Sequence, residues 1–250
     1  DVYKRQDKRV IGKSYLFRWI LVKLIILNFR PKKSAKAYKK IWWKEGSPLI
    51  VLSQRLFKKI SKILNVHVSL AMRYGSMSIV KGLTELNNKG VHDIVVLPLY
   101  PHYAMSSYET VVEKVKEEAK KNFPKINISF IDPFYNDPDY IKLLSKKIKD
   151  SIKNIDYDHI LFSYHGIPVS HLKISDPTKK HRYKINNCCS VQSDAHKTCY
   201  KHQVTVTTEL VAKNLSLDEN KFSISFQSRL ANEPWLKPYT DSEPVSYTHL

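Results

Sequence analysis

Cysteine, glycine and acidic residues are all scarce in this sequence. The 250 residues include 3 cysteines, 6 glycines and 23 acidic residues, against 42 basic ones, for a formal net charge of +19. The cysteines, Cys188, Cys189 and Cys199, form an odd number within one segment, which excludes a disulfide framework. Because no secretion signal is recognisable either, we expect a reducing, cytoplasmic environment.

Several familiar signatures are also missing. The sequence contains no Walker loop, no GxGxxG and no GxSxG, so the usual signals of nucleotide binding and serine hydrolysis are absent. No zinc finger or RNP-like stretch supports nucleic acid as a partner, and a basic nucleic-acid module is only the third alternative. The positive charge is typical either of solvated lysine faces or of an anionic partner, such as a membrane surface or an acidic small molecule.

No apolar run is comfortable as a membrane span. The longest candidate, Tyr15–Phe29, is short and carries Arg18 and Lys23. It fits either a buried helix or one that lies against a membrane, where the basic residues that follow would suit lipid headgroups.

What the sequence does contain is an alternation of short apolar runs and amphipathic segments. Hydrophobic patterning predicts strands at Val66–Met72, Asp93–Leu99, Asn127–Ile131, His159–Tyr164 and Phe222–Gln227. It predicts helices at Ala35–Trp43, Ser53–Leu64, Ser76–Asn88, Ser107–Lys121, Pro138–Ile152 and Val204–Asn214, with Ser53 and Ser76 as N-caps and Gly90 as a helix stop. This spacing predicts an α/β protein built from parallel βαβ units.

Polar and aromatic residues follow the predicted strands. Because parallel strands bring their carboxyl ends to one edge, these groups should converge on a ligand cleft. They are Arg73 and Tyr74, Tyr100 and Tyr103, His165, and the segment Gln227–Arg229 with Trp235 nearby. A cleft of aromatics, cations and one imidazole would suit a large flat ligand with carboxylates at its rim.

His165 is the most informative of these residues. It ends an apolar run and precedes Gly166, Ile167 and Pro168, a turn that would hold it at the edge of the sheet. Histidine is well suited to accept a proton or bind a metal near neutral pH.

Six segments, taken in order, resemble the ferrochelatase family. They are RPKKSAKAYKKIW with EGSP, AMRYGSMSI, VVLPLYPHYAMSSYETV, LFSYHGIP, SDPTKKH, and SFQSRL with EPWLKPYTD, and the similarity extends from about Lys8 to Asp241. The resemblance implies two Rossmann-like domains, at 7–105 and 106–241, with a porphyrin cleft between them. It implies insertion of ferrous iron into protoporphyrin IX or coproporphyrin III, without a required cofactor.

The resemblance also implies roles for particular residues. His165 matches the active-site histidine, a ligand of the incoming metal or an acceptor of pyrrole protons. The residues that match substrate-binding positions are Arg30, Lys33, Tyr38, Ser47, Arg73, Tyr74, Tyr100, Tyr103 and Trp235. The segment Tyr15–Phe29 resembles the lip through which the family contacts the membrane.

The chain also departs from the family pattern. The family's first strand has no counterpart here, nor does its second catalytic group, a glutamate on a later segment. We therefore expect porphyrin binding with little turnover. Residues 1–6 and 242–250 continue no pattern and are interpreted as non-native. Some bacterial members carry a 2Fe–2S cluster on four cysteines where Cys188, Cys189 and Cys199 lie; a histidine as fourth ligand, a zinc ion and vestigial thiols are open alternatives.

Rival functions are a cobalt or nickel chelatase of a related tetrapyrrole and a non-catalytic tetrapyrrole-binding protein. The oligomeric state is left open.

Overall fold

A computed structural model describes residues 7, 9, 19, 35–229 and 233–243 of the chain. The described residues form two compact units. Unit 1 comprises the described residues up to Pro98 together with Glu109–Ile131, and unit 2 comprises Leu99–Tyr108 together with those from Asp132 onward.

Unit 1 is built from helices around a pair of parallel strands. Residues 35–39 are helical, and the elements that follow are α1 Pro48–Ile63, α2 Ile79–Asn88, β1 Asp93–Val96, α3 Thr110–Asn122 and β2 Asn127–Phe130. Strands β1 and β2 run parallel, in register from Asp93 opposite Asn127 to Val96 opposite Phe130. The connection through α3 makes this a βαβ unit.

The core of unit 1 follows from helical spacing. Ile79, Leu83 and Leu86 lie on one face of α2 because they are four and three residues apart. This face packs with Ile94 of β1 and with apolar residues of α3, so the helices cover the strands.

Unit 2 repeats the arrangement. Its regular elements are α4 Pro138–Ile152, β3 Ile160–His165, α5 Val169–Ile174, a 3₁₀ turn Asp194–Thr198, α6 Tyr200–Asn214, a 3₁₀ turn Glu219–Lys221 and β4 Phe222–Gln227, and a π-helical turn Met105–Glu109 leads into α3. Strands β3 and β4 are parallel, in register from Ile160 opposite Phe222 to His165 opposite Gln227. Val204 of α6 packs with Leu172, Phe226 and Leu236 in the core.

The predicted fold class is confirmed: parallel strands are flanked by helices. The predicted bounds of Pro138–Ile152 and Phe222–Gln227 agree with α4 and β4. Gly90 follows α2 with a φ of +74°, the left-handed conformation expected of a helix stop. Among the described residues, no helix has the length and apolar character needed to cross a bilayer.

Some predicted elements are wrong. Val66–Met72 does not form a strand, because among the described residues no strand pairs with this segment. Its one β-type contact is an isolated bridge between Met72 and Ser78. Helix α1 begins at Pro48 rather than Ser53, because a proline is favoured in the first helical turn. Helix α2 is capped by Ser78 rather than Ser76, its hydroxyl oxygen accepting from the N–H of Lys81 at 3.3 Å.

The compact units divide the chain differently from the sequence prediction of 7–105 and 106–241. Residues 109–131 lie in unit 1 because α3 and β2 complete the core around β1.

Candidate active site at the carboxyl end of strand β3

His165 is the last residue of β3, and its side chain is exposed. The residue that follows, Gly166, is closely surrounded: a Cβ at this position would lie 3.0 Å from the carbonyl oxygen of Gln227 and 3.4 Å from the ring of Trp235. The N–H of Gly166 donates to that carbonyl at 2.7 Å. The apolar strand and its glycine therefore present His165 at the edge of the sheet, as the sequence predicts.

Two buried tyrosine hydroxyls fix the backbone and core behind His165. The hydroxyl of Tyr200, the first residue of α6, donates to the carbonyl oxygen of His165 at 2.9 Å. The hydroxyl of Tyr164 lies 2.7 Å from that of Thr208. Burial raises the pKa of Tyr164 to about 12 and also raises the pKa of Tyr200, so both phenols are neutral donors near pH 7.

The segment 99–108 packs against α6 and carries two predicted site residues, Tyr100 and Tyr103. The N–H of Tyr103 donates to Gln203 Oε1 at 2.6 Å, and its ring lies 5.8 Å from that of Tyr108. The side chain of Tyr100 is exposed. These aromatics therefore share unit 2 with His165.

His102, between them, is a neutral anchor. Its Nε2 lies 2.9 Å from Thr207 Oγ1, and the Thr207 hydroxyl donates to the carbonyl oxygen of Tyr135 at 2.6 Å. Since that hydroxyl proton is already committed, we assign the proton to Nε2, which donates to Thr207. Burial lowers the pKa of His102 to about 4.

Trp235 is brought to the same edge by a short antiparallel bridge. The N–H of Leu236 donates to the carbonyl oxygen of Ile167 at 3.0 Å, and the N–H of Val169 donates to that of Pro234 at 2.9 Å. The half-buried indole thus lies against Gly166, next to His165.

Arg73 and Tyr74 belong to unit 1. The guanidinium of Arg73 donates to Asp7 at 3.1 Å and to both oxygens of Thr110 at 3.0 Å, and it lies 4.5 Å above the Tyr74 ring. Burial alone would raise the pKa of Asp7, but the hydrogen bond from Thr110 and the charges of Arg9 and Arg73 lower it. Arg73 therefore already has a carboxylate partner within the chain, while the buried hydroxyl of Tyr74 makes no hydrogen bond among the described residues.

Tyr38 and Ser47 also lie in unit 1. Tyr38 is exposed and, with Ala35, Lys39 and Trp42, lines an apolar hollow of about 440 Å³. Ser47 precedes Pro48 at the start of α1, where its carbonyl oxygen accepts from the N–H of Val51 at 2.9 Å. Arg30, Lys33 and the segment Tyr15–Phe29, apart from Trp19, lie outside the described residues.

The cysteines lie in a segment that Arg182 and Asp176 hold together. The buried Arg182 guanidinium donates to Leu172 O and Ser175 Oγ at 2.6 and 2.7 Å, to Thr198 Oγ1 at 2.8 Å, and to Ala195 O. The Asp176 carboxylate accepts from the N–H groups of Thr178, His181 and Arg182, which outweigh burial and lower its pKa. The SDPTKKH motif therefore stabilises the local backbone conformation through the hydrogen bonds of Asp176.

These residues do not fit a four-thiolate cluster. The chain has 3 cysteines, and the region of the expected first ligand, 181–183, contains the engaged Arg182. Ring nitrogens of His181 and His196 contact the carbonyl oxygen of Cys188, and His202 contacts that of Cys189, so the histidines already have partners. Within the part of the chain that the structure describes, no group of three or more histidine, cysteine or acidic side chains is arranged to hold a metal.

Comparison with known proteins decides the family. The ferrochelatase family model matches residues 4–248. Ferrochelatase of Opitutus terrae (strain DSM 11246 / JCM 15787 / PB90-1) is 45% identical over 240 residues, which cover 95% of this chain and 69% of the relative. Those of Pseudomonas savastanoi pv. phaseolicola (strain 1448A / Race 6) and Coxiella burnetii (strain Dugway 5J108-111) are each 40% identical, over 94% and 96% of this chain and 69% and 68% of the relatives.

The chain belongs to the ferrochelatase family. Ferrochelatase is an enzyme of haem synthesis that inserts ferrous iron into a porphyrin, and the metal is therefore a substrate. Insertion releases the pyrrole N–H protons, which a neutral imidazole can accept. In this chain an exposed histidine ends β3, with the hydroxyl of Tyr200 bonded to its carbonyl oxygen and the ring of Trp235 close to the residue that follows it.

Sequence reasoning missed the residues that contact the candidate site from the protein interior. His102 and Tyr164 lie inside the motifs, where a buried polar residue next to a strand end could have been suspected. Tyr200 and Gln203 carry no such signal, since their role depends on how α6 packs against β3.

Proposed function

We propose that His165 of this ferrochelatase accepts a pyrrole proton, or binds the incoming ferrous iron, during insertion of the metal into a carboxylate-bearing porphyrin. The observation that carries the proposal is the exposed imidazole at the end of β3, fixed by Gly166 and by the Tyr200 hydroxyl. Tyr100, Tyr103 and Trp235 are proposed to contact the macrocycle, since aromatic faces suit a flat apolar ligand.

Some of the other predicted substrate contacts are supported by an observation in the structure, and the rest are supported by the family resemblance alone. Tyr38 offers an exposed ring beside an apolar hollow, and Tyr74 offers a buried hydroxyl that the described residues leave without a hydrogen bond. Arg73 is proposed to act through Tyr74, over which it stacks, because its charge is paired with Asp7. Ser47, Arg30 and Lys33 remain predictions from the resemblance.

The test compares the unmodified chain with His165→Ala and His159→Ala. Porphyrin binding is followed by Soret absorbance and insertion of Fe²⁺ or Zn²⁺ by anaerobic spectroscopy, with protoporphyrin and coproporphyrin in separate arms. We expect His165→Ala to bind porphyrin with little change and to insert metal about a hundredfold more slowly, the usual range for loss of an acid–base group. His159 lies just before the same strand and contacts Ser223 at 2.9 Å, so its loss tests for a merely structural effect.

Full insertion activity in His165→Ala would overturn the assigned role. Failure of the unmodified chain to bind either porphyrin would overturn the proposed substrate class.

We infer, further, that the cytoplasmic protein touches the inner face of the membrane through unit 1. Exposed apolar residues and cations occur together among residues 35–64, where Glu45 is the one acidic residue and is paired with Arg55 at 2.6 Å. The exposed apolar side chains are Tyr38, Ile41, Trp42 and Trp43, then Leu49, Leu52, Leu56 and Ile63 on α1, and Leu64 directly after it. Those of α1 share one face by their spacing, and a basic helix with such a face is typical of binding to an anionic bilayer surface.

A further inference from the structure

The buried face of α6 carries polar side chains as well as apolar ones. Tyr200, Gln203 and Thr207 recur at intervals of three and four residues, so they lie on one side of the helix, and all three are buried. Burying a polar group is costly unless it is hydrogen-bonded. The partners of these side chains therefore show which parts of the molecule this face holds in place.

Gln203 is the most completely engaged of the three. It is 0% exposed, and its Oε1 accepts from the N–H of Tyr103 at 2.6 Å. Its Nε2 donates to the carbonyl oxygens of His196 and Lys197 at 3.1 and 2.9 Å. The opposite orientation of the amide would direct its NH₂ group at an N–H and its oxygen at two carbonyls, so the partners define the orientation. Gln203 thus joins the backbone of Tyr103 to the 3₁₀ turn that precedes α6.

The residues on either side of Tyr103 are anchored to the same region. His102 Nε2 lies 2.9 Å from Thr207 Oγ1, one turn further along α6. Ala104 is buried in the apolar cluster to which α6 contributes. The bond from Gln203 lies between these two anchors and is the one that acts on the backbone of Tyr103 itself.

We propose that Gln203 is a positioning residue for porphyrin binding, because its amide fixes the backbone of Tyr103 and thereby the place of the tyrosine ring. The inference rests on the function proposed above, in which Tyr103 contacts the macrocycle. Gln203 does not touch the substrate, since its side chain is fully buried. Its contribution is preorganisation: a ring that is already held in place loses less conformational freedom when the ligand binds.

The position of Gln203 separates its effect from that of Tyr200, one turn earlier on the same face. The Tyr200 hydroxyl donates to the carbonyl oxygen of His165, which is proposed to act during metal insertion. Gln203 holds Tyr103, which is proposed to act in binding. Loss of the Gln203 amide should therefore raise the porphyrin Kd and leave the insertion rate at saturating porphyrin close to that of the unmodified chain. Tyr200→Phe should do the reverse.

The experiment measures the Kd for protoporphyrin by Soret titration of the full chain. Gln203→Met has a similar shape but no acceptor for the N–H of Tyr103, and we expect its Kd to be about tenfold higher. Thr205→Val is the matched control on the same helix, since the Thr205 hydroxyl donates within α6 to the carbonyl oxygen of Lys201 at 2.9 Å. It should bind porphyrin as the unmodified chain does.

A double variant shows whether Gln203 acts through Tyr103. In a chain that already carries Tyr103→Ala, adding Gln203→Met should raise the Kd no further, because the ring that the amide positions is gone. Gln203→Glu keeps an oxygen for the N–H of Tyr103 and should bind porphyrin more tightly than Gln203→Met. Far-UV circular dichroism of each variant identifies any that fails to fold, and the comparison is made among the folded ones.

A second measurement needs no porphyrin. Chymotrypsin cleaves after tyrosine, and a fragment that begins at Ala104 reports cleavage next to Tyr103. This fragment should form faster in Gln203→Met than in Thr205→Val, because the segment has lost its backbone anchor.

The outcomes distinguish this inference from the function on which it rests. An unmodified chain that does not bind porphyrin would overturn the proposed function, and the role of Gln203 with it. If the unmodified chain binds, three results would overturn the role of Gln203 alone: an unchanged Kd in Gln203→Met, an equal rise in Thr205→Val, or additive losses in the double variant. Equal rates of cleavage after Tyr103 in Gln203→Met and Thr205→Val would also overturn it.

Discussion

Burial decides the protonation state of His102. Its ring packs edge-on against Tyr164 and Tyr200, at centroid distances of 5.6 and 5.9 Å. A cation there would lie among aromatic edges and face a threonine hydroxyl whose proton is committed to Tyr135. The neutral form is therefore favoured in the folded protein, and burial lowers the pKa from 6.5 to about 4.

This shift predicts acid sensitivity. Between pH 6.5 and 4 the unfolded chain binds a proton at His102 that the folded chain does not, so the free energy of unfolding falls as the pH falls. The loss approaches about 3 kcal/mol at the lower limit, at about 1.4 kcal/mol per pKa unit. The free energy of unfolding can be measured at each pH by urea unfolding, followed by tryptophan fluorescence. Its decrease between pH 6.5 and 4 should be smaller in His102→Phe, which lacks the titrating ring.

Exposed His92 provides the control, and His92→Gln should keep the pH dependence of the unmodified chain. An unchanged slope in His102→Phe would contradict the assignment of a buried neutral ring.

At the scale of elements, the segment 176–198 depends on one guanidinium. Arg182 donates to carbonyl and hydroxyl oxygens from Leu172 to Thr198 and so ties α5, the loop and the 3₁₀ turn together. It lies in the region where sequence reasoning expects the first cluster ligand, and its hydrogen bonds join parts of the chain on both sides of it.

Replacement of Arg182 by methionine should therefore be costly. The buried acceptors would lose a charged donor, which we expect to lower the free energy of unfolding by about 3 kcal/mol. Urea unfolding measures the loss, and trypsin cleavage after Lys184 and Lys197 should become faster. Arg229→Met is the control, since Arg229 pairs with Asp241 at an exposed site. This variant should change the free energy of unfolding by less than about 1 kcal/mol. Equal losses in the two variants would refute this role of Arg182.

Elements with local signals were predictable from the sequence. Helix α4 has an Asp137 cap followed by Pro138, and the Asp137 carboxylate accepts from the N–H of Tyr140 at 2.9 Å. The apolar run that forms β4 is bounded by polar residues, so the sequence also predicts where this strand begins and ends. His165 was found because the signal, an apolar strand followed by Gly166, is itself local.

Elements that depend on distant partners were not predictable in the same way. Val66–Met72 has the composition of a strand, but a strand also needs a neighbour to complete its hydrogen bonds. The π-helical turn Met105–Glu109 has no sequence signature of its own. The contact of Tyr200 with His165 joins residues 35 positions apart and exists only because α6 packs against β3.

At the scale of the whole molecule, the formal charge of +19 favours anionic surfaces. We expect the protein to float with vesicles that contain phosphatidylserine and not with neutral phosphatidylcholine vesicles, and to dissociate as salt screens the charges. Leu52→Glu, on the exposed face of α1, should weaken flotation severalfold, because it opposes both apolar contact and charge attraction.

Leu143→Glu introduces the same change at an exposed leucine of α4, in unit 2. Equal loss of flotation in the two variants would argue against α1 as the contact and for attraction by net charge alone.

The interrupted course of the chain through its two units has a consequence for synthesis. Unit 1 has left the ribosome once residue 131 has done so, whereas segment 99–108 of unit 2 emerges earlier, between the two parts of unit 1. Thr207, which accepts the hydrogen bond of His102, is made 105 residues after it. The segment with Tyr100 and Tyr103 must therefore wait during translation for the residues of unit 2 against which it packs. In the meantime the parts of the chain on either side of it can already fold as unit 1.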